Sequence, residues 1–588
     1  MFRSLMLHIA ASIMLFIYVG FSFHSPAKAA TCPTPQALGK KPSRLVVVVP
    51  GTGQGPKEWQ SFLDRLKKEE ASQDFAWLVF DHQITRPTFG SARRLVDELA
   101  SCIDEKVTRS QYSHITLIGH SIGGMLIRRA YLQSADALAD QPASNVGWAR
   151  LVDKMFLFSS VNKGIRSDVS WWSPFAYWLL RTIPHPRLVL EDMELGSDFI
   201  ADTRIAWIRY FGAIRNHQKS SGGQTPHLPR VVQFWGTEDS IVRESDNADL
   251  EAFSGPVIIR VSGAQHSNLH RLEPEYAADP EARWALFKRE LFNEDPPNLP
   301  PPDHPPQHIL IIARGIRDSS ISDWVSDLKL NAIKSGVYKP QDIEEIEYGY
   351  FSAVHFAIRA IRSKNIPAFR DVYAQRLAEN PSAEFDFIGH SNGTYIFGQS
   401  MLSTPSMRFR NVVLVAPVLP TDFDWDRLFS RGQIEAIRYD VANRDFPVGV
   451  LCSFLNGIGS SDIGPSGVVL FGEGTMVRAR VHKVGWYPGG HSAALIDDPE
   501  SAISNRQHIL NFAAYGADLG AGNPLQPELG WMQHISRATP WIAYVLITIL
   551  TILFAGILIV LGTFERRLKF IILLALASTS MYAFLDIF

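Results

Sequence analysis

Cysteine and net charge are both scarce in this chain of 588 residues. Its three cysteines, Cys32, Cys102 and Cys452, are too few for a disulfide framework or a zinc site. Two interpretations of them stay open: a Cys32–Cys102 bridge formed in an oxidising compartment, or three free thiols. The formal net charge is −2 and no basic run with interleaved aromatic residues occurs, so we expect no nucleic-acid partner.

The sequence also lacks the short motifs that hold metals and nucleotides. Neither His-Glu-x-x-His nor a Gly-x-x-x-x-Gly-Lys-Ser/Thr phosphate loop is present. We therefore expect chemistry that uses no cofactor and no metal. With 46% apolar and 20% charged residues, the chain is globular and long enough for two domains.

What the chain does contain is one serine pentapeptide motif, twice. Residues 119–123 read Gly-His-Ser-Ile-Gly after the apolar run 115–118, and residues 389–393 read Gly-His-Ser-Asn-Gly after 385–388. A serine squeezed between a strand and a helix takes a strained backbone conformation that lifts its hydroxyl clear of the sheet. The flanking positions must be small so that the two backbones can close, which accounts for the glycines.

The first serine, Ser121, is followed by a candidate acid and then a candidate histidine. The strand-like run 230–235 leads into a turn that carries Asp239, and the β-rich run 257–261 precedes a loop that carries His266. A serine hydroxyl needs a neighbouring imidazole to remove its proton, and the imidazole needs a carboxylate to orient it. The alternatives left open are Glu238 or Asp246 as the acid and His270 as the histidine.

The second serine, Ser391, is followed by the same order of residues. The strand-like run 434–441 precedes Asp445, and a loop in which His-Ser is followed shortly by leucine, as at His266, carries His491. The alternatives left open here are Asp462 as the acid and His482 as the histidine. The histidines inside the two pentapeptides, His120 and His390, are expected to pack rather than react.

These residues resemble the α/β-hydrolase superfamily, in which Gly-x-Ser-x-Gly carries the nucleophile and the acid and histidine follow in that order. The resemblance implies two catalytic sets, Ser121, Asp239 and His266 in the first half and Ser391, Asp445 and His491 in the second. It also implies backbone amide donors to the oxyanion, namely Thr52 and Ile122 in the first half and Ile316 and Asn392 in the second. The second half departs from the glycine-rich first loop, because Arg317 and Asp318 stand where the first half has Gly53 and Gln54.

The whole chain is expected to be α/β, with two tandem α/β-hydrolase domains of mostly parallel sheets flanked by helices. Proline-rich residues 295–307 favour an extended spacer and separate a first domain, 44–294, from a second, 308–516. The first strands also correspond, since 45–49 and 309–312 are each followed by a glycine-containing loop and a tryptophan. We interpret this as an internal duplication of one hydrolase fold.

The first domain is longer than the second between serine and acid. The separation is 118 residues in the first half and 54 in the second. The extra length suggests a lid insertion at about 163–225, in which 171–178 are rich in tryptophan and other aromatic residues. Two interpretations stay open: a lid over an acyl-binding cleft or against a bilayer, or a buried helix that completes the core.

The amino terminus, residues 1–30, has the features of a secretory signal peptide. Arg3 precedes an apolar core at 5–21, and Ala-Lys-Ala at 27–29 offers a cleavage site. An uncleaved membrane anchor is the alternative.

The carboxyl terminus predicts a transmembrane hairpin. A juxtamembrane segment, 517–540, precedes two apolar stretches, 541–564 and 570–588, each long enough to span a bilayer. The three cations in the turn between them predict a cytoplasmic turn, so the soluble domains are expected on the extracytoplasmic side.

The expected function is a membrane-anchored extracytoplasmic serine hydrolase that cleaves carboxylic esters, with lipid or other acyl esters as substrates. The expected partners are the ester substrate and, through the hairpin, the lipid bilayer, whereas the sequence predicts no particular protein partner. Three alternatives stay open. The same residues serve thioester or amide cleavage and acyl transfer; the second repeat is a non-catalytic docking module; or the entire exported part is a binding protein.

Overall fold

The computed structural model describes residues 30–84, 88–138, 147–166, 187–220, 228–247, 257–294, 307–316, 324–346, 353–472, 481–497, 503–516 and 531–561. Several predicted features lie outside these residues. They are nearly all of the amino-terminal segment 1–30, the aromatic segment 171–178, linker residues 295–306, and the apolar stretch 570–588.

The first unit is built on a sheet of seven strands. They are β1 (Gln36–Ala37), β2 (Arg44–Val49), β3 (Phe75–Val79), β4 (His114–His120), β5 (Val152–Phe158), β6 (Arg230–Gly236) and β7 (Val257–Val261). They lie in the order β1-β3-β2-β4-β5-β6-β7, and every pair is parallel except β1 with β3. Along β2, Val47 and Val49 belong to one core cluster and Val46 and Val48 to another, so both faces of the sheet are buried. Burial on both faces explains why its central strands are continuous apolar runs.

The helices of the first unit lie between these strands, except for the last helix, which follows β7. They are α1 (Gln60–Leu66), α2 (Ala92–Ser110), α3 (Ile122–Ser134), α4 (Val189–Asp192), α5 (Asp198–Ser220) and α6 (Pro280–Leu291). Local sequence sets their starts, since the Ser91 side chain accepts the Arg93 amide before α2 and the Asp279 side chain accepts the Ala282 amide before α6.

The second unit is built on six strands, all paired in parallel. They are β8 (His308–Ala313), β9 (Ile343–Ile346), β10 (Glu384–His390), β11 (Phe409–Val415), β12 (Ile434–Ala442) and β13 (Val481–Tyr487). The helices are α7 (Trp324–Lys334), α8 (Ala353–Ala357), α9 (Arg359–Arg362), α10 (Ile366–Glu379), α11 (Asn392–Ser403), α12 (Trp425–Ser430), α13 (Ser453–Gly457), α14 (Asn505–Tyr515) and α15 (Trp531–Leu561).

The two sheets share one strand order. From one edge to the other, the second sheet runs β9-β8-β10-β11-β12-β13, and the first sheet without β1 runs β3-β2-β4-β5-β6-β7. In both sheets the second strand along the chain lies at the edge, the first strand lies beside it, and the others follow in chain order. The predicted α/β fold with mostly parallel sheets is therefore confirmed, and the two sheets fit two domains. In both units the serine follows the strand at the same place in this order, β4 in the first and β10 in the second.

The described part of the predicted lid region is a buried helix. Helix α5 carries Ile200, Ile205 and Trp207, each with no exposed surface, and its Phe211 is 2% exposed. The aromatic residues 171–178, for which the two interpretations were made, lie outside the described residues.

Helix α5 also joins the two units, because it packs against α10 of the second. Arg204 donates to Asp371 at 2.6 Å, and Arg209 donates to the Tyr373 hydroxyl at 2.6 Å. The Asp202 carboxylate accepts the amide of Ser406 at 2.8 Å. These partly desolvated polar contacts give the units one specific relative orientation.

Cys32 and Cys102 form a disulfide that ties the segment before β1 to helix α2. The remaining cysteine, Cys452, is buried. Of the two interpretations of the cysteines, the structure shows the Cys32–Cys102 bridge. Burial raises the pKa of the Cys452 thiol, so this thiol stays protonated.

Helix α15 spans the end of the predicted juxtamembrane segment, 517–540, and the start of the first apolar stretch. It begins at Trp531 and continues through Pro540. Met532, Ser536 and Thr539 are buried, so packing on the second unit stabilises these first turns. Within the residues that the structure describes, no helix combines the length and apolar character needed to cross a membrane. A spanning helix over 541–564 is thus not found there, while residues 562–588 lie outside the description.

Candidate active site

Ser121 occupies the sharp turn between β4 and α3. Its backbone angles, φ 53° and ψ −121°, lie in a region that non-glycine residues rarely adopt. Glycine is required beside it, because a Cβ on Gly123 would overlap the Val49 carbonyl and a Cβ on Gly119 would lie 2.6 Å from Gly124. This close packing of strand against helix explains the spacing of the pentapeptide.

The structure brings His266 and Asp239 to Ser121. The Nε2 atom of His266 lies 2.8 Å from Ser121 Oγ, and its Nδ1 atom lies 3.0 Å from Asp239 Oδ2. Because a carboxylate only accepts hydrogen bonds, Nδ1 carries the proton and Nε2 is left as the acceptor for the serine hydroxyl. The three side chains predicted from the first half of the sequence therefore form one connected chain of hydrogen bonds.

Asp239 is held as a carboxylate. Burial alone would raise its pKa, but hydrogen bonds from His266 and the Val242 amide outweigh burial, and the pKa of Asp239 is lowered. The second oxygen, Oδ1, accepts the amides of Ile241 and Val242 at 2.8 and 2.9 Å. The turn after β6 thus fixes the carboxylate in position for His266.

The predicted alternatives for these roles lie in other positions. His270 is fully buried, with its ring stacked 4.3 Å from that of Trp59. Asp246 accepts the Arg243 amide at 2.9 Å, and Glu238 is exposed on the wall of the cavity at Ser121. The hydrogen-bond geometry therefore favours Asp239 and His266.

His120, predicted to pack, is buried and contacts two loops. Its Nε2 atom lies 2.7 Å from the His266 carbonyl oxygen, and its Nδ1 atom lies 2.8 Å from Gln54 Oε1. Burial, reinforced by the neighbouring His266, lowers the pKa of His120 to about 3, so the ring is neutral at neutral pH. A neutral imidazole has one N–H and can donate to only one of these two oxygens.

Gln54 is the residue of this site that sequence reasoning missed. Its Oε1 accepts the Gly51 amide at 3.1 Å and its Nε2 donates to the Ser267 carbonyl at 3.3 Å. It therefore links the first loop, the pentapeptide and the histidine loop. The only available signal was its place directly after Gly53, since none of its partners is near in sequence except Gly51.

The predicted oxyanion donors lie beside the serine. Ile122 is the first residue of α3, where a backbone amide has no carbonyl partner within the helix. Thr52 shares the wall of one cavity of about 540 Å³ with Ser121 and His266. The other residues that line this cavity are mainly polar, namely Gln54, His120, Glu238, Ser240, Ile241, Gln265 and Ser267.

The second unit repeats the strained serine turn and the pairing of acid and histidine. Ser391 follows β10 with φ 51° and ψ −119°, within a few degrees of the angles of Ser121. His491 Nδ1 lies 2.8 Å from Asp445 Oδ2, and Asp445 Oδ1 accepts the Val448 amide at 3.0 Å. The Nε2 atom of His390, the histidine of the second pentapeptide, lies 3.4 Å from the carbonyl oxygen of His491. In the first unit, His120 Nε2 lies in the same way near the carbonyl oxygen of His266.

The other residues predicted for the second unit lie in the following positions. Asp462 pairs with Arg362 and accepts the Tyr395 hydroxyl at 2.8 Å, while His482 lies in β13 with its ring 5.5 Å from that of Tyr439. Asn392 begins helix α11, and Ile316 follows β8, as expected for amide donors. Arg317 and Asp318 lie outside the described residues.

Across the described parts of both units, no group of three or more His, Cys, Asp and Glu side chains is arranged to hold a metal ion. Each unit presents a serine hydroxyl on a strained turn together with an imidazole that is paired with a carboxylate. These three groups are suited to nucleophilic attack on a carbonyl carbon.

Comparison with known families gives the class of the protein. Residues 46–327 match the model of the Alpha/beta hydrolase family, a match that covers the first unit and the start of the second, just under half of the chain. The protein is an enzyme of the hydrolase class. No curated protein matches the chain.

Part of the chain is similar to solved hydrolase structures. Est1E from Butyrivibrio proteoclasticus is 12% identical with a TM-score of 0.27, over 43% of this chain and 90% of that one. A monoacylglycerol lipase from Paleococcus ferrophilus is 16% identical with a TM-score of 0.27, over 43% of this chain and 94% of that one. A marine microorganism esterase is 13% identical with a TM-score of 0.25, over 44% and 97%.

Proposed function

We propose that the first unit is a serine hydrolase that cleaves carboxylic esters with Ser121 as nucleophile. The observation that carries this proposal is the hydrogen-bond chain in which His266 Nε2 lies 2.8 Å from Ser121 Oγ while Nδ1 lies 3.0 Å from Asp239. This is the geometry that a general base needs to activate a hydroxyl.

In the proposed reaction, His266 Nε2 takes the proton of Ser121 as Oγ bonds to the acyl carbon. Asp239 stabilises the imidazolium, and the amides of Ile122 and Thr52 stabilise the negative charge on the former carbonyl oxygen. The alcohol leaves with the proton from Nε2. A water molecule then attacks the acyl-enzyme by the same route, releasing the acid and restoring the serine hydroxyl.

A fluorophosphonate probe tests this proposal. We expect the probe to modify Ser121 in the full chain, and mass spectrometry of the labelled peptides to lose that adduct in Ser121→Ala. The matched control is Ser113→Ala, because Ser113 is an exposed serine just before β4, at the end of the strand opposite Ser121. This variant should label as the wild type does. A folded wild-type protein without an adduct on Ser121 would refute the proposal.

We also propose that the two units arose by duplication of one α/β-hydrolase fold. The shared strand order and the matching backbone angles of Ser121 and Ser391 support this proposal. An experimental structure in which the second sheet has another strand order would contradict it.

We further propose that the protein is membrane-anchored, with both units on the extracytoplasmic side and acyl esters as substrates. The Cys32–Cys102 bridge supports an oxidising compartment. Exposed apolar side chains on α15, such as Trp541 at 74% and Ile552 at 65%, support a membrane-facing carboxyl terminus. Extraction of membranes with alkaline carbonate and a reporter fused after Phe588 test this. Release by carbonate, or a reporter active only in the cytoplasm, would refute the anchor or its orientation.

A further inference from the structure

We propose that Ser391 is the nucleophile of a second, independent ester-hydrolysing site that prefers esters with a long apolar acyl chain. The chemistry is the same as in the proposed function, but every residue of the machinery differs. Failure of one site in an experiment is therefore distinguishable from failure of the other.

The first argument is conformational. Ser391 holds the strained backbone angles of a nucleophile turn, and strain of this kind persists only where the surrounding structure enforces it. The surroundings do enforce it, since a Cβ on Gly315 would lie 2.8 Å from His390 Nδ1 and a Cβ on Gly393 would overlap the Ala313 carbonyl. A module that only docks a partner has no need of this turn.

The second argument is the paired acid and base. His491 Nδ1 lies 2.8 Å from Asp445 Oδ2, so Nδ1 carries the proton and Nε2 is left as the nitrogen that can accept one. Asp445 has no exposed surface, whereas the His491 side chain is 21% exposed. The imidazole therefore lies at the opening of a site whose carboxylate is closed to water.

The proposed step is balanced within these residues and one water molecule. Ser391 Oγ bonds to the acyl carbon while its proton passes to His491 Nε2 and the carbonyl electrons move to oxygen. Collapse of this intermediate breaks the bond to the alcohol oxygen, which takes the proton from Nε2. Water then adds to the acyl-enzyme with its proton passing through His491, and Ser391 regains its proton as the acid leaves.

The substrate class follows from a comparison of the residues that flank the acid and the histidine in the two units. The residue after the acid is Ser240 in the first unit and Phe446 in the second, and Phe446 is 56% exposed. The residue after the buried leucine of the histidine loop is His270 in the first unit, which is buried, and Ile496 in the second, which is 60% exposed. Exposed apolar side chains so close in the chain to the paired acid and histidine offer a surface for an apolar ligand.

The acid-bearing segment also contacts the root of the apolar helix α15. The helical turn Pro447–Cys452 begins two residues after Asp445, and the hydroxyl of Ser453, which follows it, hydrogen-bonds that of Ser536 in α15 at 2.7 Å. Beyond these contacts α15 exposes Val545 at 58% and Leu553 at 57%. An ester that partitions with its acyl chain along this helix is therefore concentrated at the second site rather than the first.

Labelling of the full chain with a biotinylated long-alkyl fluorophosphonate tests the nucleophile. We expect Ser121→Ala to keep an adduct on the Ser391 peptide, Ser391→Ala to keep one on the Ser121 peptide, and the double variant to have neither. Loss of all labelling in Ser121→Ala, with a thermal unfolding midpoint equal to that of the wild type, would overturn the second site. Loss of all labelling in a folded Ser391→Ala would instead refute the proposed function of the first unit.

Chain-length preference is tested in the Ser121→Ala background with p-nitrophenyl butyrate and p-nitrophenyl palmitate in mixed micelles. Phe446→Ser, which installs the residue of the first unit, should lower the palmitate-to-butyrate ratio of kcat/KM roughly tenfold, since it removes a large apolar contact. Leu330→Ser is the matched control, because Leu330 is also 56% exposed but lies on helix α7. An unchanged ratio in Phe446→Ser, or an equal fall in the control, would overturn the preference.

Discussion

At the scale of single residues, the pentapeptides, acids and histidines were predictable because each stands at a strand end that the sequence marks. The carboxyl ends of parallel strands meet at one edge of a sheet, so Ser121, Asp239 and His266 converge although they are far apart in sequence. The links made by Gln54 and His120 were not predictable, because they depend on how three loops of different length meet. Side-chain contacts of that kind leave no periodic pattern in a sequence.

Asp239→Asn should slow ester hydrolysis by about a thousandfold to ten-thousandfold in kcat. An asparagine amide offers its N–H to Nδ1, which favours the tautomer with the proton on Nε2 and leaves the serine without a base. Steady-state kinetics with p-nitrophenyl butyrate in the Ser391→Ala background measure the first unit alone. Glu238→Gln, at the exposed neighbouring position, is the comparison, and a similar loss there would argue against a specific role for Asp239.

The buried His120 should make the first unit less stable in acid. Its pKa is lowered from 6.5 to about 3 in the folded chain, chiefly by burial, so between these values only the unfolded chain binds the proton. Unfolding is thereby favoured as the pH falls, by about 2 kcal/mol at pH 5 relative to pH 7.5. Burial likewise lowers the pKa of His82 and His270, which act in the same direction.

Urea unfolding of the wild type and of His120→Gln at pH 7.5 and pH 5 isolates this contribution from that of the other titrating groups. The variant should lose less stability between the two pH values than the wild type does. Among those other groups, burial raises the pKa of Asp386 to about 6, and this acts in the opposite direction in the wild type and the variant alike. Equal losses in the two proteins would show that His120 is not the group responsible.

At the scale of elements, the strands were predictable from their apolar runs, and helices α5 and α15 were not. The insertion at about 163–225, which contains α5, suggests a lid, yet the apolar residues of α5 are buried in the core. Helix α15 continues through Pro540, which alone would predict a break, because its first turns pack on the segment Pro447–Gly457. In both helices tertiary packing outweighs the local signal.

The contact between α5 and α10 should contribute measurably to stability. Asp371→Asn removes the charge opposite Arg204, whose side chain has no exposed surface, whereas Asp371 itself is 32% exposed. We expect a loss of about 1–2 kcal/mol, less than for a fully buried pair because solvent screens the carboxylate. Glu281→Gln breaks the surface pair between Arg65 and Glu281, whose side chain is 71% exposed. Its free energy of unfolding should stay within about 0.5 kcal/mol of the wild-type value in the same thermal unfolding experiment. Equal effects would mean that the contact between the units is no stronger than a surface pair.

At the scale of the whole molecule, the two units are similar in strand order but differ in what is attached to them. The first unit carries α5, through which it contacts the second, and the Cys32–Cys102 bridge. The second unit carries α15 on the segment that follows its acid. The presence of two similar sheets was predictable from the repeated motifs, whereas these attachments were not, because each joins regions that share no motif.

The attachment of α15 leads to a prediction that involves both sites at once. Met532 is fully buried, and a Cβ on Gly449, four residues after Asp445, would lie 3.0 Å from its sulfur. Met532→Lys places a charge in this apolar contact, which costs several kcal/mol unless the helix detaches. We expect the helix to detach and the Asp445 segment to shift, so that fluorophosphonate labelling of Ser391 falls at least tenfold while Ser121 labels within twofold of the wild type.

Trp541→Lys, at a position that is 74% exposed, should leave both labelling rates unchanged. If Ser391 labels normally in Met532→Lys, the helix is only attached to the second unit and does not position its acid; if Ser121 fails as well, the change has unfolded the whole chain.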